Sequence, residues 1–119
     1  MQDRFKFRTY IPDLKIFKYW GWIGKNHYIG LCPSGDYSMA ELLEKYTNQC
    51  TGLKDKNGKL IYEGDILRDK YNALHPISWN KKCFYEADTF AIAGFYNAIQ
   101  EDMEIIGNIY ENKELIEEQ

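Results

Sequence analysis

Apolar and polar residues alternate along Phe5-Lys6-Phe7-Arg8-Thr9-Tyr10, the period of a strand with one covered face. Ile11-Pro12-Asp13 ends the run, because proline has no amide for the ladder and Asp favours turns. Lys15-Ile16-Phe17-Lys18-Tyr19-Trp20 predicts the returning strand of a hairpin. Gly21, Gly24 and Asn26 mark irregular chain, Tyr28-Ile29-Gly30-Leu31 a short apolar segment, and Pro33-Ser34-Gly35-Asp36 a loop. The period then changes. Ser38-Met39-Ala40-Glu41 has the spacing of a capping box, a hydroxyl three residues before a carboxylate. Met39, Leu42, Leu43 and Tyr46 fall on one helical stripe, which predicts a helix over 39–46. Two turns cannot stand alone, so this helix must dock on a sheet.

Beyond Cys50 the signals are those of strands. Asp55-Lys56-Asn57-Gly58 predicts a tight turn, with Asn-Gly supplying positive φ. Leu60 to Arg68 reads as one strand interrupted near Gly64, and Tyr71 to Pro76 as a loop, since the residue before proline avoids helix. Ile77-Ser78-Trp79 and Cys83-Phe84-Tyr85-Glu86 pair across a turn at Asn80-Lys81-Lys82. Thr89 to Tyr96 fits strand or helix equally. Met103 to Tyr110 is a final strand with a bulge at Gly107, and Glu111 to Gln119 a short helix or tail. The pattern predicts an α+β chain, mainly β. A strand hairpin and short helix occupy 1–48, and a small curved sheet occupies 49–119. An SH3-like β-barrel is the closed form expected for that sheet, because closure removes exposed edges.

Composition adds one feature. Ten Tyr, six Phe and three Trp in 119 residues lean toward β structure, where aromatic rings pack well on pleated surfaces. Core and cross-strand packing outweighs stacking on bases or sugars, because most of these rings sit inside apolar runs. Where they escape the core, Tyr62, Trp79, Phe84 and Tyr85 are candidate interface anchors.

Net charge is −3, which argues against broad binding to nucleic acid, whose energy comes from phosphate neutralisation. Arg4, Lys6 and Arg8 alternate on one strand and form a candidate basic patch, with the solvated face of an edge strand as the plainer reading. No apolar run reaches the roughly 18–20 residues of a membrane span. The opening Met1-Gln2-Asp3-Arg4-Phe5-Lys6 lacks the apolar core of a signal peptide, so the expected compartment is the cytoplasm. Cys32, Cys50 and Cys83 are odd in number and widely spaced, giving neither a disulfide framework nor a metal knuckle.

Catalytic constellations do not emerge. His27 and His75 have no ligand at metal spacing, and a Cys32–His27 nucleophile lacks any sign of thiol activation. Glu63 and Asp65 could pair to bind metal or shuttle protons, but the structural reading is stronger: Asp65 accepts backbone amides at a bend beside Gly64, and Glu63 pairs with a lysine across the turn. Glu101, Asp102 and Glu104 form a short acidic cluster, a solvated loop able to receive a basic partner. Gly52, Gly58 and Gly64 are turn markers without the Lys-Ser or Lys-Thr of a phosphate loop. No catalytic residue, metal or cofactor is expected.

Thr51-Gly52-Leu53-Lys54-Asp55-Lys56-Asn57-Gly58 running into Ile61-Tyr62-Glu63-Gly64-Asp65-Ile66 resembles the signature of YopX-like phage and prophage proteins. Ile105-Ile106-Gly107-Asn108-Ile109-Tyr110-Glu111-Asn112 is similar to that family's ending, and Lys6-Phe7-Arg8 to its opening. Cys50 departs from the family's usual aromatic residue, and Lys113 from its frequent proline. The resemblance implies a phage or prophage product with an N-terminal α+β part and a C-terminal β-barrel, and it carries over no catalytic residue. The leading expectation is a non-enzymatic accessory protein that binds a host or phage protein through its barrel face and is able to self-associate. A single-stranded nucleic-acid binder is the alternative, and a small metal-dependent hydrolase a third reading.

Overall fold

The computed structural model describes residues 5–22, 28–31, 35–79, 84–86 and 101–117, and the chain forms two compact units, 1–50 and 51–119. The class is α+β, mainly β, with antiparallel pairing throughout the described registers.

In the first unit, β1 (Lys6–Ile11) pairs with β2 (Ile16–Trp22) from Lys6↔Gly21 to Ile11↔Ile16, and β2 pairs with β3 (Tyr28–Ile29). The other side of β1 takes the start of β4 (Thr47–Lys54), from Phe7↔Gln49 to Thr9↔Thr47. The expected edge strand is therefore a central one. Alternation reports which face is covered and is blind to how many neighbours a strand has. Gly21 is obligatory: its φ is +93°, and an added Cβ would lie 2.2 Å from the Phe5 carbonyl oxygen.

Helix α1 (Met39–Lys45) starts where the capping box predicts. The Glu41 amide donates to Ser38 Oγ at 3.2 Å, and the hydroxyl turns back toward Glu41 Oε1 at 3.4 Å. Its apolar stripe is narrower than the sequence suggests, since Leu42 is fully buried while Met39 and Leu43 are exposed. A directional chain of hydrogen bonds fixes the helix end to the sheet. The Thr47 hydroxyl donates to the Leu42 carbonyl at 2.8 Å, which spends its only proton. Thr9 Oγ1 must then donate to Thr47 Oγ1 at 2.8 Å, and the Trp20 indole donates to Thr9 Oγ1 at 2.9 Å.

In the second unit the rest of β4 pairs with β5 (Leu60–Tyr62). A separate sheet has the order β8-β7-β6-β9, from β6 (Asp65–Arg68), β7 (Leu74–Trp79), β8 (Phe84–Glu86) and β9 (Glu104–Asn108). Helix α2 (Lys113–Glu117) follows β9. Ile61, Leu67, Ile77 and Met103 form a buried cluster, with Leu53 and Ile105 packed on it. Burying each such side chain stabilises by about 1.5–3 kcal/mol relative to exposure.

Several expectations change here. Among the described residues no barrel closes. The outward amides of β9 at Ile105 and Asn108 go to the side chains of Asp55 (3.0 Å) and Asn112 (3.1 Å), which cover that edge in place of another strand. The interruption at Gly64, φ +89°, is a full turn that sends β5 and β6 into different sheets. Leu74, His75 and Pro76 belong to β7 and were expected as loop; the described pairing with β8 starts at Ile77, one residue past the proline. The bulge predicted at Gly107 lies beside it, where Ile66 pairs with Gly107 and Leu67 with Ile105, leaving Ile106 as the extra residue. The β7–β8 hairpin pairs as predicted, from Ile77↔Glu86 to Trp79↔Phe84. The segment 89–96, read as strand or helix, lies outside the described residues.

Candidate functional site

The signature stretch is built from turns, and its polar side chains are spent on them. Thr51 Oγ1 donates to the Ile61 carbonyl at 2.8 Å and accepts from the Leu53 amide at 3.1 Å. Asp55, buried at 4% exposure, accepts from the Asn57 and Lys59 amides on one oxygen (2.9 and 3.0 Å). Its other oxygen takes the Ile105 amide. Of the Asn-Gly pair only Gly58 adopts positive φ, +80°. Asp65 Oδ2 accepts from the Tyr62 amide at 2.8 Å, as a turn-building carboxylate should. The ending repeats the device: Asn108 Oδ1 accepts from the amides of Tyr110 and Glu111, while Asn112 Oδ1 packs where a Cβ on Gly107 would stand, 2.5 Å away.

Candidate binding residues scatter. Tyr62 is buried at 7% exposure, so it is a core ring and no anchor. Trp79 lies on β7, and Phe84 and Tyr85 lie on β8. Arg4 lies outside the described residues. Lys6 is half-buried on β1. Arg8 is buried at 5% exposure, donates from Nε to Asn48 Oδ1 at 3.1 Å, and sets its guanidinium 4.4 Å from the Phe17 ring centroid. It is a packing residue, where a solvated or phosphate-facing one was expected.

Two surfaces emerge instead. One runs along the first hairpin and its flank, where Phe5, Leu14, Ile16, Tyr19 and Trp22 are all exposed. Phe7 and Trp20 stack beside them with centroids 4.6 Å apart.

The other is a cleft of about 380 Å³ in the second unit, lined by Lys56, Arg68, Asp69, Lys70, Asn72, Glu101, Asp102 and Glu104. The acidic cluster seen in the sequence forms one wall, and Glu104 pairs with Arg68. That hydrogen bond first, and the charge of Lys56 next, hold the Glu104 carboxyl below its ordinary 4.5. Asp69 organises the opposite wall, the β6–β7 turn. It accepts from the Tyr71 and Ala73 amides at 2.8 and 3.0 Å and from His75 Nε2 at 2.8 Å. Its own amide donates to the Ala73 carbonyl, and its carbonyl accepts from Asn72. Burial pushes the Asp69 carboxyl up, but the His75 hydrogen bond, both amides and the His75 charge outweigh this and leave it below 3.8. Sequence reasoning took His75 for an ordinary loop residue. The available signal was Asp69 placed two and four residues before turn amides, the spacing of a side chain that caps its own turn. No group of three metal-ligating side chains occurs among the described residues, and no helix is long and apolar enough to cross a membrane.

The family model described as YopX protein matches residues 13–117. The chain belongs to the YopX protein family. No curated protein matches it. The crystal structure of protein EF1440 from Enterococcus faecalis is similar to this YopX chain, with 27% identity and a TM-score of 0.60. The similarity covers 93% of this chain and 96% of that one, so it extends over both units.

Proposed function

We propose that this YopX chain is a phage- or prophage-encoded accessory protein of the cytoplasm, non-enzymatic, that binds another protein. The observation that carries the reading is the set of exposed large apolar side chains on the first hairpin and its flank: Phe5, Leu14, Ile16, Tyr19 and Trp22. Exposed rings and large aliphatic side chains are candidate anchors for a partner, with Ile16 and Trp22 on one face of β2 and Tyr19 on the other. The surface expected for binding was the C-terminal barrel face. Burial of Tyr62 removes one of its anchors and moves the emphasis to the hairpin.

Two rival readings lose support. Arg8, a cation intended for phosphate, is buried against Asn48 and Phe17. The carboxylates a hydrolase would need are engaged separately: Asp55 and Asp65 with backbone amides, Asp69 with His75, and Glu104 with Arg68. Affinity capture from host lysate, with the whole chain as bait, tests the reading. One protein should be retained in stoichiometric amount and lost from an Ile16→Lys, Tyr19→Lys bait whose urea midpoint matches the parent. Retention of nothing beyond the empty resin would overturn it.

A further inference from the structure

Asn57-Gly58 is the only Asn-Gly pair in the chain, and both residues are exposed in the 55–58 turn. Glycine carries no Cβ, so it leaves its own amide nitrogen unshielded toward the side chain before it. A Cβ at Gly58 would meet nothing within 4 Å, so the approach is open. The folded turn opposes attack all the same. The Gly58 amide donates to the Asp55 carbonyl at 3.0 Å while Asn57 keeps negative φ, the arrangement of a type I turn with Asn57 in its third position. That position holds ψ at about 0°, roughly 120° of rotation from the eclipsed geometry that brings Asn57 Cγ to the Gly58 nitrogen. Asp55 Oδ1 braces the turn further through the Asn57 and Lys59 amides. The same residues clasp the start of β9. The Lys56 amide donates to the Met103 carbonyl at 2.8 Å, the Ile105 amide to Asp55 Oδ2 at 3.0 Å, and the Asn57 carboxamide to the Glu104 carboxylate.

We propose that Asn57 is a modification site that deamidates without an enzyme when the 55–58 turn opens, and that the product loosens the clasp on β9. Hydroxide takes the Gly58 amide proton, and the nitrogen bonds to Asn57 Cγ. The side-chain nitrogen takes a proton from water and leaves as ammonia, closing a succinimide ring. Water then splits one ring C–N bond, giving a normal aspartyl link or an isoaspartyl link that runs through Cγ. The net exchange is carboxamide and water for carboxylic acid and ammonia, with nothing oxidised or reduced. The new carboxylate stands against Glu104 in place of a donor, and like charges in contact repel. The isoaspartyl form also adds a methylene to the backbone and breaks the Gly58-to-Asp55 register. Asp55 is thus the guard of the site, and the reaction rate measures opening of its turn.

The test ages the whole chain in mildly alkaline buffer, folded or in unfolding urea, and follows the peptide holding Asn57 by mass. Conversion should be at least about tenfold slower in the folded chain. Asn108, buried and followed by Ile109, should stay intact there. Asp55→Asn keeps the side chain's shape and removes its charge, so it should speed folded-state conversion about threefold or more. Asn57→Asp supplies the product directly, and should quicken exchange of the Ile105 amide about tenfold, well beyond any change on β1. That arm decides the matter if Asp55→Asn fails to fold. Equal rates in the folded and unfolded chain, or conversion at Asn108 keeping pace with Asn57, would overturn the proposal. So would a folded-state rate indifferent to Asp55→Asn, or an Ile105 amide indifferent to Asn57→Asp.

Discussion

One buried carboxylate, Asp55, receives three backbone amides and ties the signature turn to the start of β9. A hydrogen bond to a charged acceptor contributes about 1.5–3 kcal/mol. The exposed amides of Asn57 and Lys59 would regain water on its removal, so the contributions do not sum in full. Asp55→Ala should therefore lower the unfolding free energy by roughly 3 kcal/mol with an unchanged urea m-value. A loss under about 1 kcal/mol would mean that the Ile105 amide finds another acceptor. Asp69 makes a comparable prediction in pH. Its folded-state carboxyl is depressed below 3.8, so its contribution is present above that value and lost as pH falls through the folded one. Urea midpoints should drop as pH falls from about 5 toward 3, and Asp69→Asn should flatten the drop. An identical acid profile in the variant would sink the role given to Asp69.

Helix α1 has seven residues and a single buried side chain, Leu42, so its cap carries a large share of its stability. Ser38→Ala should destabilise by about 1 kcal/mol. It should also speed exchange of the Leu42 amide, which donates to the Ser38 carbonyl at 3.0 Å, more than exchange on β1. Uniform acceleration would show the cap to be globally coupled. This element was legible because capping is a local matter of spacing. The 55–58 turn, the Asp65 bend and the β7–β8 hairpin were legible for the same reason. Three features were not. Strand-turn-strand wording around Gly64 is the same whether the strands pair or part, so the split between two sheets left no local mark. Alternation along β1 says nothing of a second neighbour, so Arg8 looked solvated when it was enclosed. Proline at position 76 argued against a strand that tertiary pairing nevertheless imposes, Ile66↔Pro76. The cleft was hidden most completely, because Lys56, the 68–72 turn and the 101–104 segment meet only after folding.

Fifteen Lys and Arg against eighteen Asp and Glu give the chain its charge of −3, so cations are not in excess overall. The hairpin exposes Phe5, Leu14, Ile16, Tyr19 and Trp22 alongside Lys6, Lys15 and Lys18, and the cleft sets three cations against four carboxylates. Sequence-independent binding to nucleic acid needs several phosphates neutralised at once, and its affinity then falls steeply with salt. Titrating the whole chain with single-stranded and duplex oligonucleotides at low salt should give no saturable signal. Adding salt should change nothing, because without binding the oligonucleotides keep their condensed counterions. The protein-binding reading has a different salt signature. A contact made by apolar hairpin side chains is nearly indifferent to ionic strength, while one made between exposed charges weakens as screening shortens the Debye length to about 8 Å near physiological salt. A partner whose dissociation rate is unmoved by salt is therefore held by the hairpin's apolar side chains. Tight, steeply salt-dependent capture of single strands would instead point to several phosphates neutralised at once, and would overturn the assignment of partner class.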